Sequence, residues 1–288
     1  MLKRRIIACI VVKDGIAVQS IQFRKFLPVG SPAIAAENFN RWGVDEILLQ
    51  DISATTENRG PDLGLIEKVA RVTFVPLTVA GGISSVTDIR NVLKSGADKV
   101  AINSAAFEHD TLIADSARYF GSQCIVASID VHTKAGLAAY ARSGRRKVSD
   151  DPITVAQKFE QSGAGELLVN SIHRDGTKLG YDIDLMDRFC SAVEIPVIAC
   201  GGAGHPTHLF ELLSETQVSA AAAANFFHFT EHSVLATKSY LATAGIDVRH
   251  DTYADYREHQ IGEQGRVEKA PENYLLELVY QYYPEEVI

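Results

Sequence analysis

Short unbroken apolar runs recur along this chain, each closed by a glycine-rich or polar turn and followed by a stretch with helical periodicity. Eight such runs predict strands at 5–12, 46–52, 75–81, 99–104, 124–130, 166–172, 196–202 and 218–224. Between them, apolar residues three and four apart predict helices in "SPAIAAENFNRWG", "DLGLIEKVARV", "SVTDIRNVLKSG", "TLIADSARYFG", "PITVAQKFEQSG" and "DIDLMDRFCSAV". A strand that is apolar at every position is buried on both faces, the condition of a parallel sheet covered by helices. Eight strand–helix units in succession close into an α/β fold of the (β/α)8 type, a TIM barrel, preferred here over a doubly wound open sheet.

The pattern is also internally duplicated. "WGVDEILLQDISA" matches "SGAGELLVNSIHR" at an offset of 120, which pairs Glu46 with Glu166 and Asp51 with Ser171. "VPLTVAGGIS" matches "IPVIACGGAG" at the same offset, pairing Gly81 and Gly82 with Gly201 and Gly202. The chain therefore reads as two half-barrels of four units each. "RIIACIVVKDG" and "CIVASIDVHTKAG" open the two halves, so Val11 occupies the position that Asp130 holds in the second.

Barrel chemistry gathers at the C-terminal ends of the strands. There each half carries a glycine pair after its third strand and a small polar residue after its fourth: Gly81, Gly82, Asn103 and Ser104, then Gly201, Gly202 and Asn225. Glycines admit close approach to backbone N–H groups, and two such cradles across one mouth suit a substrate phosphorylated at each end. Asp51 and Asp130 end strands at the same rim, where a carboxylate can give or take a proton. "SIHRDGTKLGYD" adds His173 and Asp175 as further proton carriers, with Gly176 in the turn as part of the phosphate cradle. Arg5, Glu46, Lys99 and Glu166 open strands instead, so they belong at the barrel bottom. Alternating charges there can satisfy one another or form a gate into the interior.

Composition narrows the partners. A hydrophobic share of 46% and a net charge of −8 describe a globular chain with a substantial core and no cationic face for nucleic acid. Cys9, Cys124, Cys190 and Cys200 show no CxxC spacing, which fits free thiols and a cytoplasmic location. The apolar start "IIACIVV" reads as a first strand rather than a signal peptide, and no run approaches the roughly 20 residues of a membrane span. The organisation expected is a barrel over 1–249 and an acidic, tyrosine-rich extension over 250–288, whose "ENYLLELVYQYY" is amphipathic.

These residues resemble the cyclase subunit of imidazole glycerol phosphate synthase, a family of half-barrel repeats from histidine biosynthesis. The likeness covers residues 1 to about 249 and includes "DEILLQDISAT", "GADKVAINSAA", "GAGELLVNSIHRDGTKLGYD", "IPVIACGGAG" and "FFHF". It implies a glutaminase docked on the barrel bottom, with ammonia passing a gate matched here by Arg5, Glu46, Lys99 and Glu166. It also implies a ribulosyl aminoimidazole carboxamide nucleotide with two phosphates at the mouth, and neither metal nor organic cofactor. The family uses two aspartates as acid and base; one is matched by Asp130, the other falls on Val11. Gln19 stands where the family has a lysine, His173 where it has an acid, and Ala80 where it has a first glycine. Cradles and gate kept with one acid lost resemble a divergent branch that supplies ammonia to a separate sugar amidotransferase for surface polysaccharides. An authentic histidine-pathway cyclase and a non-catalytic, partner-activating barrel are the alternatives.

Overall fold

The computed structural model describes residues 3–134, 136–228 and 233–249. The expected extension over 250–288 lies outside the described residues. The first half runs β1 (Arg5–Lys13), β2 (Ile16–Ile21), β3 (Lys25–Gly30), α1 (Pro32–Arg41), β4 (Glu46–Asp51), α2 (Leu63–Ala70), β5 (Leu77–Ala80), α3 (Val86–Lys94), β6 (Lys99–Ile102), α4 (Ser104–Glu108) and α5 (Leu112–Phe120). The second runs β7 (Ile125–His132), β8 (Ala138–Ala141), β9 (Arg146–Ser149), α6 (Pro152–Gln161), β10 (Glu166–Ser171), α7 (Ile183–Ala192), β11 (Val197–Cys200), α8 (Pro206–Glu215), β12 (Ala220–Ala223), α9 (Asn225–His228) and α10 (Ser233–Thr243).

Strands β1, β4, β5, β6, β7, β10, β11 and β12 pair in parallel in that order, and β12 returns to β1 to close the barrel. The (β/α)8 expectation holds. Along β1, Ile6, Ala8, Ile10 and Val12 face the helical layer, whereas Ile7 and Cys9 face the interior. Burial on both sides explains the continuous apolar runs, including the all-alanine β12, whose residues have little intrinsic strand preference. Helix starts follow their local signals: Asp62, Ser85, Asp151 and Asp182 each accept a backbone N–H of the first turn of the helix they precede. Several strands are shorter than expected, because β5 begins at Leu77 and β6 gives way at once to α4.

Two hairpins were not anticipated. β2 and β3 follow β1, and β8 and β9 follow β7, so each half-barrel extends its opening strand into an antiparallel flap. β1 turns into β2 through Asp14 and Gly15, both at positive φ (53° and 77°), with Lys13 paired to Ile16. Asp-Gly between apolar runs is the strongest local sign of such a turn, and it stands in the sequence. The hairpin tips approach each other over the mouth: a Cβ on Gly144 would lie 3.1 Å from the Phe23 ring.

A buried ion pair fixes α10. Lys238 Nζ donates to Asp45 Oδ1 and to the Gly43 carbonyl, both at 2.7 Å, while Asp45 Oδ2 accepts the Ile6 N–H. Both side chains are almost fully buried, so neither charge has water as a substitute partner. Lys238→Met is expected to lower unfolding free energy by about 3–5 kcal/mol, read from urea denaturation, because it strands the Asp45 carboxylate. Adding Asp45→Asn should recover much of that loss; an unchanged midpoint in the single variant would contradict the assignment.

Candidate active site at the barrel mouth

A cavity of about 430 Å³ opens at the C-terminal ends of the strands. Its floor is made by inward-facing strand ends, among them Val11, Gln50, Asp130, Asn170 and Cys200. Its roof includes Phe23 and Phe26 from the first hairpin and Arg142 and Ser143 from the second. Ser143 Oγ donates to the Ile52 carbonyl, and the Arg142 N–H donates to Ser104 Oγ, which fastens the second hairpin across to the first half.

Strand register makes Val11 and Asp130 equivalent. Val11 pairs with Gln50 on β4, and Asp130 pairs with Asn170 on β10, two partners separated by the repeat offset. Asp130 is buried, and burial, reinforced by the charge of Asp175, pushes its carboxyl up to about 7. The amides of Asn170 and Asn103 pull in the opposite direction but do not complete the shell. Asp130 Oδ1, Asn170 Oδ1 and both polar atoms of the Asn103 amide are buried without a hydrogen-bond partner. These four atoms, one of them on the Asp130 carboxyl itself, belong to residues that line the mouth cavity, where water or another polar group from outside the chain can partner them. Sequence reasoning missed Asn170 and Gln50, although the repeat aligns the two with each other.

The other expected proton carriers differ in surroundings. Asp51 lines the cavity, with Oδ1 accepting the Ser53 and Ala54 N–H groups and Oδ2 paired to Arg59 at 2.8 Å. Asp175 also lines it; burial raises its carboxyl, although Ser20 Oγ donates to Oδ2 at 2.6 Å and the Phe23 N–H donates to the same oxygen. His173 stands outside the cavity lining, its ring among Thr133 Oγ1, Ser171 Oγ and Asp182 Oδ2. Burial lowers its basicity, with Asp182 opposing.

The glycine pairs answer first to backbone packing. A Cβ on Gly81 would fall 2.1 Å from the Asp51 carbonyl oxygen, and one on Gly82 2.7 Å from the Gly60 carbonyl carbon. In the second half Gly201 meets the Ser171 carbonyl oxygen and Gly202 the Gly180 carbonyl, the same contacts displaced by the repeat. Gly81, Gly82, Asn103 and Ser104 border the open cavity. Gly201 and Gly202 are buried, and a Cβ on Gly176 would meet the Ser20 carbonyl oxygen at 2.2 Å.

At the opposite end the four charged strand openers form one ring. Arg5 reaches Glu46 at 2.9 Å and Glu166 at 3.0 Å, while Lys99 reaches the same two carboxylates at 3.1 and 3.2 Å. Thr78 Oγ1 adds a 2.6 Å hydrogen bond to Glu46. Between ring and mouth lies an apolar interior that includes Ile7, Leu48, Ala101, Val126 and Leu168.

This stratified barrel has close relatives. Residues 5–233 match the family described as "Histidine biosynthesis protein". The chain is 42% identical over 268 residues to imidazole glycerol phosphate synthase subunit HisF of Methanopyrus kandleri, covering 86% of this chain and 98% of that protein. It is 45% identical over 251 residues to the HisF subunit of Bacillus cereus strain G9842, covering 86% of this chain and all of the relative. The chain belongs to the HisF family. Among the described residues of this HisF-family barrel, no helix is long and apolar enough to cross a membrane.

The position of Asp130 has a stability consequence. Its folded-state carboxyl is raised to about 7, so the folded protein holds a proton that the unfolded chain releases near pH 4. Stability from this group is therefore full below pH 4 and is lost as pH rises toward 7. Asp130→Asn should remove the penalty, which amounts to about 1.4 kcal/mol for each tenfold difference in proton affinity between the folded and unfolded chain. In urea denaturation the variant is expected to gain on the parent by a few kcal/mol more at pH 8 than at pH 4; a pH-independent difference would contradict the reading.

Proposed function

We propose that this HisF-family barrel receives ammonia at its charged ring from a glutaminase docked on the barrel bottom and carries it through the apolar interior to the mouth. The mouth has diverged: ammonia is handed on to support amidination of a surface-polysaccharide sugar by a separate amidotransferase. The observation that carries this reading is Val11. It lines the cavity at the position equivalent to Asp130 and has no proton to give or accept. The ring, the apolar interior and the open Gly82–Asn103 end of the cavity support the conduit half of the reading.

A second reading, full cyclase chemistry, draws on Asp175 and Asp51, which line the same cavity as Asp130. Both carboxylates are already engaged, Asp175 by Ser20 and Phe23 and Asp51 by Arg59, which favours the first reading.

The deciding experiment is turnover of the ribulosyl aminoimidazole carboxamide nucleotide by the purified chain with excess ammonium, which bypasses any glutaminase. Turnover is expected to lie about 10²–10⁴-fold below that of a family member with both aspartates. Comparable turnover would establish the cyclase reading instead. Val11→Asp should raise the residual rate at least tenfold; no rise would mean that the rest of the mouth has also left that chemistry.

A further inference from the structure

Two of the four cysteines meet inside the barrel. Cys9 on β1 faces the apolar interior, and Cys200 at the end of β11 packs against the same cluster. Both also line the mouth cavity, where Cys200 is partly exposed and Cys9 almost fully buried. Cys124 and Cys190 pack instead with the outer helical layer.

Strand register explains why the pair meets. Cys200 pairs with Ala222 on β12, and Ala222 pairs with Ile7 on β1, so a single strand separates the two cysteines. That strand is alanine from Ala220 to Ala223, and its inward methyl groups leave the space above them to longer side chains on either side. The two thiols hydrogen-bond to each other. Their backbones stay apart: two strand spacings of about 4.8 Å hold the α-carbons roughly 9 Å from each other, beyond the ~7 Å that a disulfide spans. Thiols that converge from backbones too distant for a disulfide leave room for an atom between the sulfurs.

The surroundings select the kind of atom. Two sulfurs suit a soft cation. Among the described residues, no group of three or more His, Cys, Asp or Glu side chains is placed to hold a metal, and no histidine or methionine lines the cavity, so the ion has two ligands rather than the four that structural zinc takes. A divalent cation held by two thiolates is neutral. A monovalent one leaves a negative complex in an apolar layer that the charges of Glu46 and Asp175 already reach.

We propose that Cys9 and Cys200 form a two-coordinate site for a soft divalent cation, such as mercury(II), at the base of the mouth. Each thiol gives its proton to water as its sulfur–metal bond forms. The ion stands where the apolar interior meets the mouth, so on the conduit reading it also obstructs what passes; the binding itself does not rest on that reading.

The test uses the full chain with one equivalent of mercuric chloride, followed by dialysis against excess glutathione, which strips ions held by single thiols, and native mass spectrometry. One mercury per chain with the loss of two protons is expected, both for the parent and for the Cys124→Ser/Cys190→Ser double variant. Cys200→Ser should retain none. Retention by Cys200→Ser, loss from the double variant, or no retention by the parent would each overturn the proposal. If Cys200→Ser fails to fold, X-ray absorption of the mercury-loaded double variant still decides: two sulfur neighbours are expected, and any other ligand set overturns the site. Peroxide should leave the pair unlinked, and a Cys9–Cys200 disulfide found by peptide mapping would contradict the spacing on which the site depends.

Discussion

Closing eight parallel strands into a barrel turns only every second side chain of a strand inward, and everything this protein presents to a ligand from its strands is chosen within that limit. Strand β1 shows the sequence of layers: Arg5 in the charged ring, Ile7 and Cys9 in the apolar interior, Val11 at the mouth. The ring survives burial because each carboxylate meets two cations and each cation two carboxylates, so no charge is left without a partner. The middle layer needs no such arrangement, since small and branched apolar side chains fill it. Polar groups return only at the mouth, where several of them lack partners within the protein. Ring, interior and mouth thus differ in how their polar groups are satisfied: by each other, by absence, and by whatever enters.

The two halves of the mouth share a backbone arrangement and differ in the side chains they carry on it. The backbone contacts of Gly81 and Gly82 recur at Gly201 and Gly202, because strand ends that press on the preceding loop tolerate no Cβ in either half. Side chains are under no such constraint. Val11 and Asp130 share a register but not a chemistry, and of Asn103 and Asn225, which follow equivalent strands, the first has no partner for either polar atom while the second exchanges two hydrogen bonds with the Ser20 backbone.

Most of the barrel was legible in the chain because continuous apolar strands and 3.6-residue helices alternate without interruption, and the repeat doubles every signal. The ring was legible too, since charges at the first position of a strand have only one end of the barrel to occupy. The hairpins were not anticipated. Their strands lie outside the barrel, and β2, β3 and β9 are partly exposed and lack a continuous apolar run, while β8 is a run of only four residues; only Asp14-Gly15 announced the first hairpin, and it reads equally as an ordinary strand-to-helix turn. Once the hairpins were missed, so was what they do to the site. Ser20 and Phe23 are distant in sequence from Asp175 and Asn225, and no local pattern reveals that they meet.

Asp130 faces the mouth without a carboxylate at the equivalent position, which is Val11. A carboxyl near pH 7 is present in both protonation states, so Asp130 alone can deliver a proton or remove one. Any reaction that takes a proton at one atom and gives it at another obliges a single group to reload between those events. Reloading requires a neighbour or water. The neighbours that could serve, Asp175 and Asp51, are committed to Ser20, Phe23 and Arg59, and residues of both hairpins line the cavity around them.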